Sequence, residues 1–240
     1  MIAASERALT WDGLVNGRDL GGLATAHGPV LPGRLLRTAS VHTLTARGWE
    51  QLLSHGVSTI IDLRHQWEID RATPERGLVP GSVHRQVHPL EPPGYVEEWV
   101  ARGQQWKLRT PRFYAEFLED HPTRVAAVLT AIADAPPGGV VVHCQGGRDR
   151  AGLVVAMVLR LLGADLDVIT ADHWASYDRD EPIEVALGEQ VAPDGPLPDR
   201  ASYAAVIADA LGRFPPEGCF GDEATAANIR LRLATRLCGA

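Results

Sequence analysis

The sequence has few cysteines, and they form no cluster. They stand at positions 144, 219 and 238. An odd number of widely spaced cysteines argues against a disulfide framework and against a zinc site. We therefore expect a protein of a reducing compartment that holds no structural metal.

Segments that enter or cross a membrane are also absent. The most apolar stretch, residues 153–162, is about ten residues long and contains Arg160, whereas a membrane-spanning helix needs about 20 residues. The first residues lack a basic segment followed by an apolar one, so no cleaved signal peptide is predicted. These absences predict a soluble, cytoplasmic protein without integral membrane association, with secretion by another route as the open alternative.

Basic residues are fewer than acidic ones, with 23 lysines and arginines against 30 aspartates and glutamates. The 240 residues carry a formal net charge of -7 at pH 7, so nucleic acid and anionic membranes are not expected as partners. An anionic substrate must therefore be held by local charges. With 45% hydrophobic residues the chain is long enough for one α/β domain, predicted over residues 1–240. The oligomeric state is left open.

Apolar patterns predict the secondary structure. Residues 57–63 are predicted to form a strand whose end carries Asp62, and the three valines at 140–142 are typical of a central parallel strand covered on both faces. Helices are predicted at residues 44–55 before Gly56, 113–135 with a break near His121 and Pro122, 152–162 before Gly163, 166–177, 202–214 and 222–237.

The remaining segments carry weaker patterns. The proline-rich residues 90–94 and 191–198 are predicted to be loops, residues 35–45 to lead into the first helix, and residues 79–110 are left unassigned. The resulting fold class is α/β, a three-layer sandwich with a mostly parallel central sheet flanked by helices.

The loop between the strand at 140–142 and the next helix carries the chemistry. Cys144 and Arg150 stand six residues apart, a weak signal by itself. Two adjacent glycines, Gly146 and Gly147, let the backbone curl so that successive amides point into one hollow, and the helix N-terminus adds partial positive charge. Such donors stabilise a thiolate and bind phosphate oxygens. The alternative is an inert buried thiol beside a glycine turn.

The run from His143 to Arg150 resembles the His-Cys-x5-Arg signature of the cysteine phosphatases, and specifically the bacterial tyrosine and phosphoinositide phosphatases. The resemblance covers roughly residues 14 to 180. Further segments resemble landmarks of this family in the same order, namely residues 16–22, residues 32–37, residues 62–64 with Glu68, and residues 171–173 with Ser176.

The resemblance implies a cysteine-phosphatase-like fold and a role for each loop residue. Cys144 is the nucleophile, Arg150 the phosphate ligand and Asp149 the general acid, with Asp62 as a further active-site aspartate. The phosphate-binding residues are Gln145, Gly146, Gly147, Arg148, Asp149, Arg150 and Ala151. The implied mechanism has two steps and uses neither a metal nor another cofactor.

Several alternatives remain open at the level of sequence. Asp149 could be a charge at a helix N-terminus, and Asp62 could form a structural pair with Arg64. Arg18 and Asp19 are predicted to form a buried structural pair or a cap. The predicted substrate is phosphotyrosine in proteins. A phosphoinositide or inositol phosphate is the alternative, and a phosphate-binding pseudophosphatase with weak turnover or persulfide transfer comes after it.

Two departures from the family pattern affect the substrate and the rate. Arg148 stands where the family commonly has lysine, and a rim position for Arg148 would let it engage a second phosphate. Ala151 stands where the family has threonine or serine, so a hydroxyl able to hydrogen-bond the thiolate is missing. We expect the second change to slow breakdown of a phosphoenzyme.

Overall fold

Five strands form one sheet at the centre of the protein. A computed structural model describes residues 5–71, 79–178, 183–187 and 199–240. The strands are β1 (Arg18–Asp19), β2 (Leu35–Thr38), β3 (Val57–Asp62), β4 (His84–Val87) and β5 (Gly139–His143). They are arranged in the order β1-β2-β5-β3-β4. Only β1 pairs antiparallel, with β2, and every other pair is parallel.

Helices accompany these strands along the chain. They are α1 (Ala46–Ser54), α2 (Gln66–Asp70), α3 (Tyr95–Ala101), α4 (Tyr114–Asp120), α5 (Pro122–Asp134), α6 (Arg150–Leu161), α7 (Leu166–Trp174), α8 (Ile183–Ala186), α9 (Arg200–Arg213) and α10 (Glu223–Cys238). This α/β architecture with a mostly parallel sheet confirms the predicted fold class. None of these helices, within the described residues, is both long and apolar enough to cross a membrane.

The central strand β5 is covered on both faces, as its three valines predicted. Val140 and Val142 pack into the larger hydrophobic cluster, which includes residues of α4 to α7, α9 and α10. Val141 points to the other side, into a smaller cluster with Leu36, Ile60 and residues of α1. Successive side chains of a strand alternate between faces, so a strand with helices on both sides has to be apolar throughout.

Local signals placed most element boundaries correctly. The helical pattern at residues 113–135 is broken as predicted, because α4 ends at Asp120 and Pro122 begins α5 at a position where its missing N–H costs nothing. The glycines at 56 and 163 follow α1 and α6 with φ angles of 84° and 74°. Such angles favour glycine, which explains why these helices end there.

The structure adds elements that the sequence patterns did not assign. Residues 79–110 contain β4 and α3, and β4 has the mixed exposure of an edge strand, so its apolar pattern is weak. Residues 35–38 form the fully buried β2 instead of only leading into a helix. Residues 90–94 contain no helix or strand, whereas the predicted loop at 191–198 lies outside the described residues.

Helix α6 is buried almost all round and packs closely against its neighbours at its first turn. Gly152 lies there, fully enclosed by the side chains of Arg37 and His173. A Cβ atom added at Gly152 would lie 2.7 Å from Arg37 Nη2 and would collide with the His173 ring. The absence of a side chain at this position therefore lets α6, α7 and β2 converge.

We expect Gly152→Ala to lower the free energy of unfolding by about 1 to 3 kcal/mol, because the added methyl group overpacks the junction. Gly212→Ala is the matched control, since Gly212 lies in α9 with nothing within 4 Å of an added Cβ. There alanine should gain up to about 1 kcal/mol from helix propensity. Urea unfolding of both variants measures the difference. Equal effects of the two substitutions would contradict the close packing at Gly152.

Candidate active site

The loop between β5 and α6 forms one wall of a cavity of about 460 Å³. Six residues of this loop region line the cavity, namely Cys144, Gln145, Gly146, Arg148, Asp149 and Arg150. Two further residues predicted to bind phosphate, Gly147 and Ala151, are not among the residues that line the cavity. The backbone of Gly147 packs against Thr38 and Ala39, and Ala151 is fully buried in the larger hydrophobic cluster. The cavity therefore brings together the predicted nucleophile, acid and phosphate ligand.

The carbonyl groups of this loop are all turned outward and hydrogen-bonded. The donors, in order from Cys144 O to Asp149 O, are His143 Nδ1 (3.2 Å), Ser40 N (2.9 Å), Asn16 Nδ2 (2.9 Å), Arg37 Nε (2.8 Å), Arg37 Nη2 (2.7 Å) and Tyr114 Oη (2.7 Å). In a trans peptide the N–H points opposite to the C=O. The amides of the same peptide units therefore point toward the cavity, as a site for an oxyanion requires.

A buried carboxylate holds the arginine that turns two of these carbonyls. Arg37 donates to Asp172 Oδ2 at 2.9 Å, while Arg7 and Arg18 approach Asp172 Oδ1 at 3.1 and 3.3 Å. Burial alone would raise the pKa of Asp172, but the charges of these arginines outweigh it and hold that pKa well below its usual value. Asp172 therefore stays ionised beneath the loop.

Arg18 and Asp19 both have structural contacts, but they do not pair with each other. Arg18 binds Asp172 and donates to Asn16 Oδ1 at 2.8 Å. Desolvation by burial lowers the pKa of Arg18 to about 10. Asp19 instead accepts hydrogen bonds from the amides of Gly21 and Gly33 at 2.8 and 2.7 Å. Of the two predicted roles, a pair between Arg18 and Asp19 is therefore wrong, whereas the contacts of Asp19 with two backbone amides fit the predicted cap, and Arg18 pairs with Asp172.

A chain of aromatic side chains supports the last carbonyl of the loop. The Tyr114 hydroxyl donates to Asp149 O and also contacts His173 Nε2, while Tyr203 contacts His173 Nδ1. Desolvation by burial holds the pKa of His173 well below its usual value, so the ring is neutral. Because the one hydroxyl hydrogen of Tyr114 goes to Asp149 O, His173 must donate from Nε2 and accept at Nδ1.

Arg150 is held in place by two carboxylates. Its Nη1 and Nη2 atoms lie 2.6 and 2.7 Å from the two oxygens of Glu68, and Glu91 lies 3.4 Å from Nη1. Burial lowers the pKa of Arg150, but the charges of Glu91 and Glu68 outweigh it and raise that pKa well above its ordinary value. The guanidinium is therefore oriented within the cavity wall. Glu68 belongs to a family-like segment of the sequence, whereas Glu91 lies in residues 79–110, where no pattern indicated a site residue.

The carboxyl group of Asp149 is oriented by side chains and does not cap the helix. Asp149 stands at the N-cap of α6, yet its side chain makes no capping hydrogen bond. Its Oδ1 lies 3.3 Å from Tyr177 Oη and its Oδ2 lies 3.3 Å from Arg148 Nε. Asp149 is also part of the cavity wall. This geometry favours the interpretation as a cavity-facing acid over that of a helix-capping charge.

The side chain of Arg148 is packed against the protein. Its side chain is 9% exposed. The guanidinium lies over the Tyr177 ring at 4.8 Å from the centroid. Arg148 also contributes to the cavity wall, and its contact with a second phosphate stays a prediction.

Asp62 lies behind the loop and outside the cavity wall. It is fully buried, with Arg64 at 2.9 and 2.8 Å and Arg85 at 2.7 Å from its oxygens. Burial raises its pKa, but His143 and the two arginines lower it more, so the pKa lies well below the usual value. The geometry favours the structural pair with Arg64 over direct contact with a substrate.

Comparisons with known proteins show the family of this chain. Residues 9–212 match the model of a family described as the tyrosine phosphatase family. The chain is 30% identical over 209 residues to the triple specificity protein phosphatase PtpB of Mycobacterium tuberculosis, a match covering 75% of this chain and 72% of that protein. It is also 30% identical over 179 residues to a protein of Cupriavidus necator provisionally named a tyrosine-protein phosphatase. This match covers 71% of this chain and 63% of that protein.

Asp172→Asn should lower the free energy of unfolding by about 3 to 5 kcal/mol near neutral pH, because three buried arginines lose their counter-charge. The pKa of Asp172 is depressed in the folded state, so its stabilisation is present above the ordinary aspartate value of about 4 and is lost as the pH falls below it. The difference between wild type and variant should therefore narrow at acidic pH, as denaturant unfolding at a series of pH values would measure.

Asp167→Asn, an exposed change in the first turn of the same helix, is the control and should cost less than about 1 kcal/mol. A difference between wild type and Asp172→Asn that stayed constant down to pH 2 would contradict the ionised state of Asp172.

Proposed function

The chain belongs to the tyrosine phosphatase family and is a phosphoric monoester hydrolase, and from this premise we propose that it hydrolyses phosphotyrosine in proteins through a phosphocysteine intermediate on Cys144. The observation that carries the proposal is the single cavity that Cys144, Asp149 and Arg150 line together. A nucleophile, an acid and an anion ligand on one wall are what the two-step reaction needs.

The first step transfers the phosphoryl group to sulfur. The Cys144 thiolate attacks phosphorus, and the S–P bond forms as the bond between phosphorus and the tyrosine oxygen breaks. The inward-facing amides and the planar fork of Arg150 hold the phosphoryl oxygens during the transfer. Asp149 gives its proton to the leaving tyrosine oxygen.

The second step releases phosphate. Water attacks phosphorus, a P–O bond forms as the S–P bond breaks, and the electron pair returns to sulfur. The carboxylate that Asp149 became in the first step takes the proton of the water. Position 151 is occupied by alanine, so it has no hydroxyl to donate to the returning thiolate.

The rest of the cavity wall supports an aromatic phosphate ester. The wall includes the apolar side chains of Trp67, Val96, Val100, Leu108 and Leu187. These groups suit a phenyl ring better than a hydroxylated inositol. Glu68 and Glu91 neutralise part of the charge of Arg150, which disfavours a substrate with many phosphates.

Hydrolysis of phosphoinositides is the second candidate. Arg109 and Arg148 lie in the same wall and add cations beyond Arg150. The relative from Mycobacterium tuberculosis is named a triple specificity phosphatase, and that name supports a broader substrate range.

Cys144→Ser should abolish turnover, because an alkoxide is not available at this position near neutral pH whereas a thiolate is, while vanadate still binds the intact loop. Turnover of a phosphotyrosine peptide and vanadate affinity measure the two effects. Cys238→Ser is the control, since Cys238 lies near Thr25 at the end of α10 and should leave turnover unchanged. Substantial hydrolysis by the Cys144 variant would remove the covalent mechanism.

A substrate panel tests the preference for phosphotyrosine. We expect kcat/KM for a phosphotyrosine peptide to exceed that for a phosphoserine peptide and for a phosphoinositide by about tenfold or more, because only the aryl ester fills the apolar wall. Each measurement is repeated with Cys144→Ser to subtract contaminating activity. A phosphoinositide rate above the phosphotyrosine rate would establish the second candidate instead.

A further inference from the structure

Tyr177 lies just beyond the end of α7, and its hydroxyl contacts the carboxyl group of Asp149. The ring is fixed by the Arg148 guanidinium at 4.8 Å, the Tyr203 ring at 4.7 Å and the Trp174 ring at 6.0 Å between centres. From this fixed ring the hydroxyl oxygen lies 3.0 Å from the carbonyl oxygen of Arg109 and 3.3 Å from Asp149 Oδ1.

The hydroxyl of Tyr177 has one hydrogen for these two acceptors. A phenol donates one hydrogen bond, and a carbonyl oxygen only accepts. Burial raises the pKa of Tyr177 well above its ordinary value, so the phenol keeps its hydrogen at physiological pH. When Asp149 is neutral, that hydrogen has the Arg109 carbonyl as its partner. When Asp149 is ionised, it has the negatively charged Oδ1, the stronger acceptor.

Both oxygens of the Asp149 carboxyl group are contacted by side chains that pack against each other, Tyr177 and Arg148. Tyr177 meets Oδ1, and Arg148, which itself rests on the Tyr177 ring, meets Oδ2 through Nε at 3.3 Å. The α6 backbone makes no capping bond with this carboxyl group. The ring and hydroxyl of Tyr177 therefore take part in both contacts that orient the acid.

We propose that Tyr177 is a positioning residue for proton transfer by Asp149. This inference rests on the proposed function. As the bond between phosphorus and the leaving oxygen breaks, that oxygen keeps the electron pair and takes the proton of Asp149. The new carboxylate then accepts a hydrogen bond from the Tyr177 hydroxyl, which turns from the Arg109 carbonyl to Oδ1. The ring of Tyr177 thus supports Arg148, which contacts Oδ2 of the acid, and the hydroxyl stabilises the conjugate base as it forms.

A role in proton transfer and a role in packing have different kinetic consequences. A general acid matters most when the leaving group is a strong base, such as the tyrosine phenolate, and little when it is a weak base, such as p-nitrophenolate. A hydroxyl that only pins the Arg109 segment of the wall would affect both substrates alike.

The test compares Tyr177→Phe with wild type on a phosphotyrosine peptide and on p-nitrophenyl phosphate. We expect kcat/KM, which reports the phosphoryl-transfer step and not the later hydrolysis, to fall about tenfold on the peptide, the size of effect that one hydrogen bond to a charged group supports, and to change less than about twofold on the nitrophenyl ester. Both rates are measured on one preparation, so any unfolded fraction cancels in their ratio. Vanadate affinity should stay at the wild-type value.

Tyr95→Phe is the matched control. Tyr95 is also buried, and its hydroxyl has no hydrogen-bond partner among the described residues and lies outside the cavity wall. Its loss should leave the ratio of the two rates unchanged. In an Asp149→Ala background, Tyr177→Phe should cause no further selective loss on the peptide, because the group that it positions is gone.

The outcomes separate this inference from the proposed function. An equal loss on both substrates, or an undiminished effect in the Asp149→Ala background, would show that the hydroxyl serves only the wall and would overturn the inference. If Asp149→Ala slows the peptide selectively but Tyr177→Phe does not, the acid assignment stands and only the role of Tyr177 fails. If Asp149→Ala itself slows both substrates alike, both assignments fail.

Discussion

The outward orientation of the loop carbonyls is the constraint on which the rest of the active site depends. A backbone curled around an anion presents its N–H groups inward only if its C=O groups find partners outside, because a buried carbonyl without a partner is costly. Here Arg37 binds two of these carbonyls, and Asp172 holds Arg37. The shape of the phosphate cradle thus depends on a carboxylate that lies behind the loop.

The same arrangement reconciles an acidic protein with an anionic substrate. The formal net charge is -7, yet Arg7, Arg18 and Arg37 surround one carboxylate beneath the loop, which leaves a local excess of positive charge. Buried charges are screened far less than exposed ones. Local placement therefore decides the field at the cradle, and the overall charge does not.

The three side chains proposed to carry the reaction are each held by a different kind of support. Cys144 is fixed by its position between β5 and the curled loop, and Arg150 by the carboxylates of Glu68 and Glu91. Asp149 is oriented by Tyr177 and Arg148. Because these supports come from separate parts of the chain, the cavity forms only when the sheet, α2, α6 and α7 have all packed.

The sequence by itself determined what is local. The valines of β5, the glycine pair and the apolar residues of α6 follow one another in the sequence. The strand, the phosphate-binding loop and the helix could therefore be predicted from neighbouring residues, and so could the spacing of six residues between Cys144 and Arg150. The partners were decided by tertiary structure. Adjacent strand residues point to opposite faces, so Arg18 cannot share the partner of Asp19 and instead meets Asp172, 154 positions away. Glu91 and Tyr177 reach the site through packing of distant segments, which no local pattern encodes.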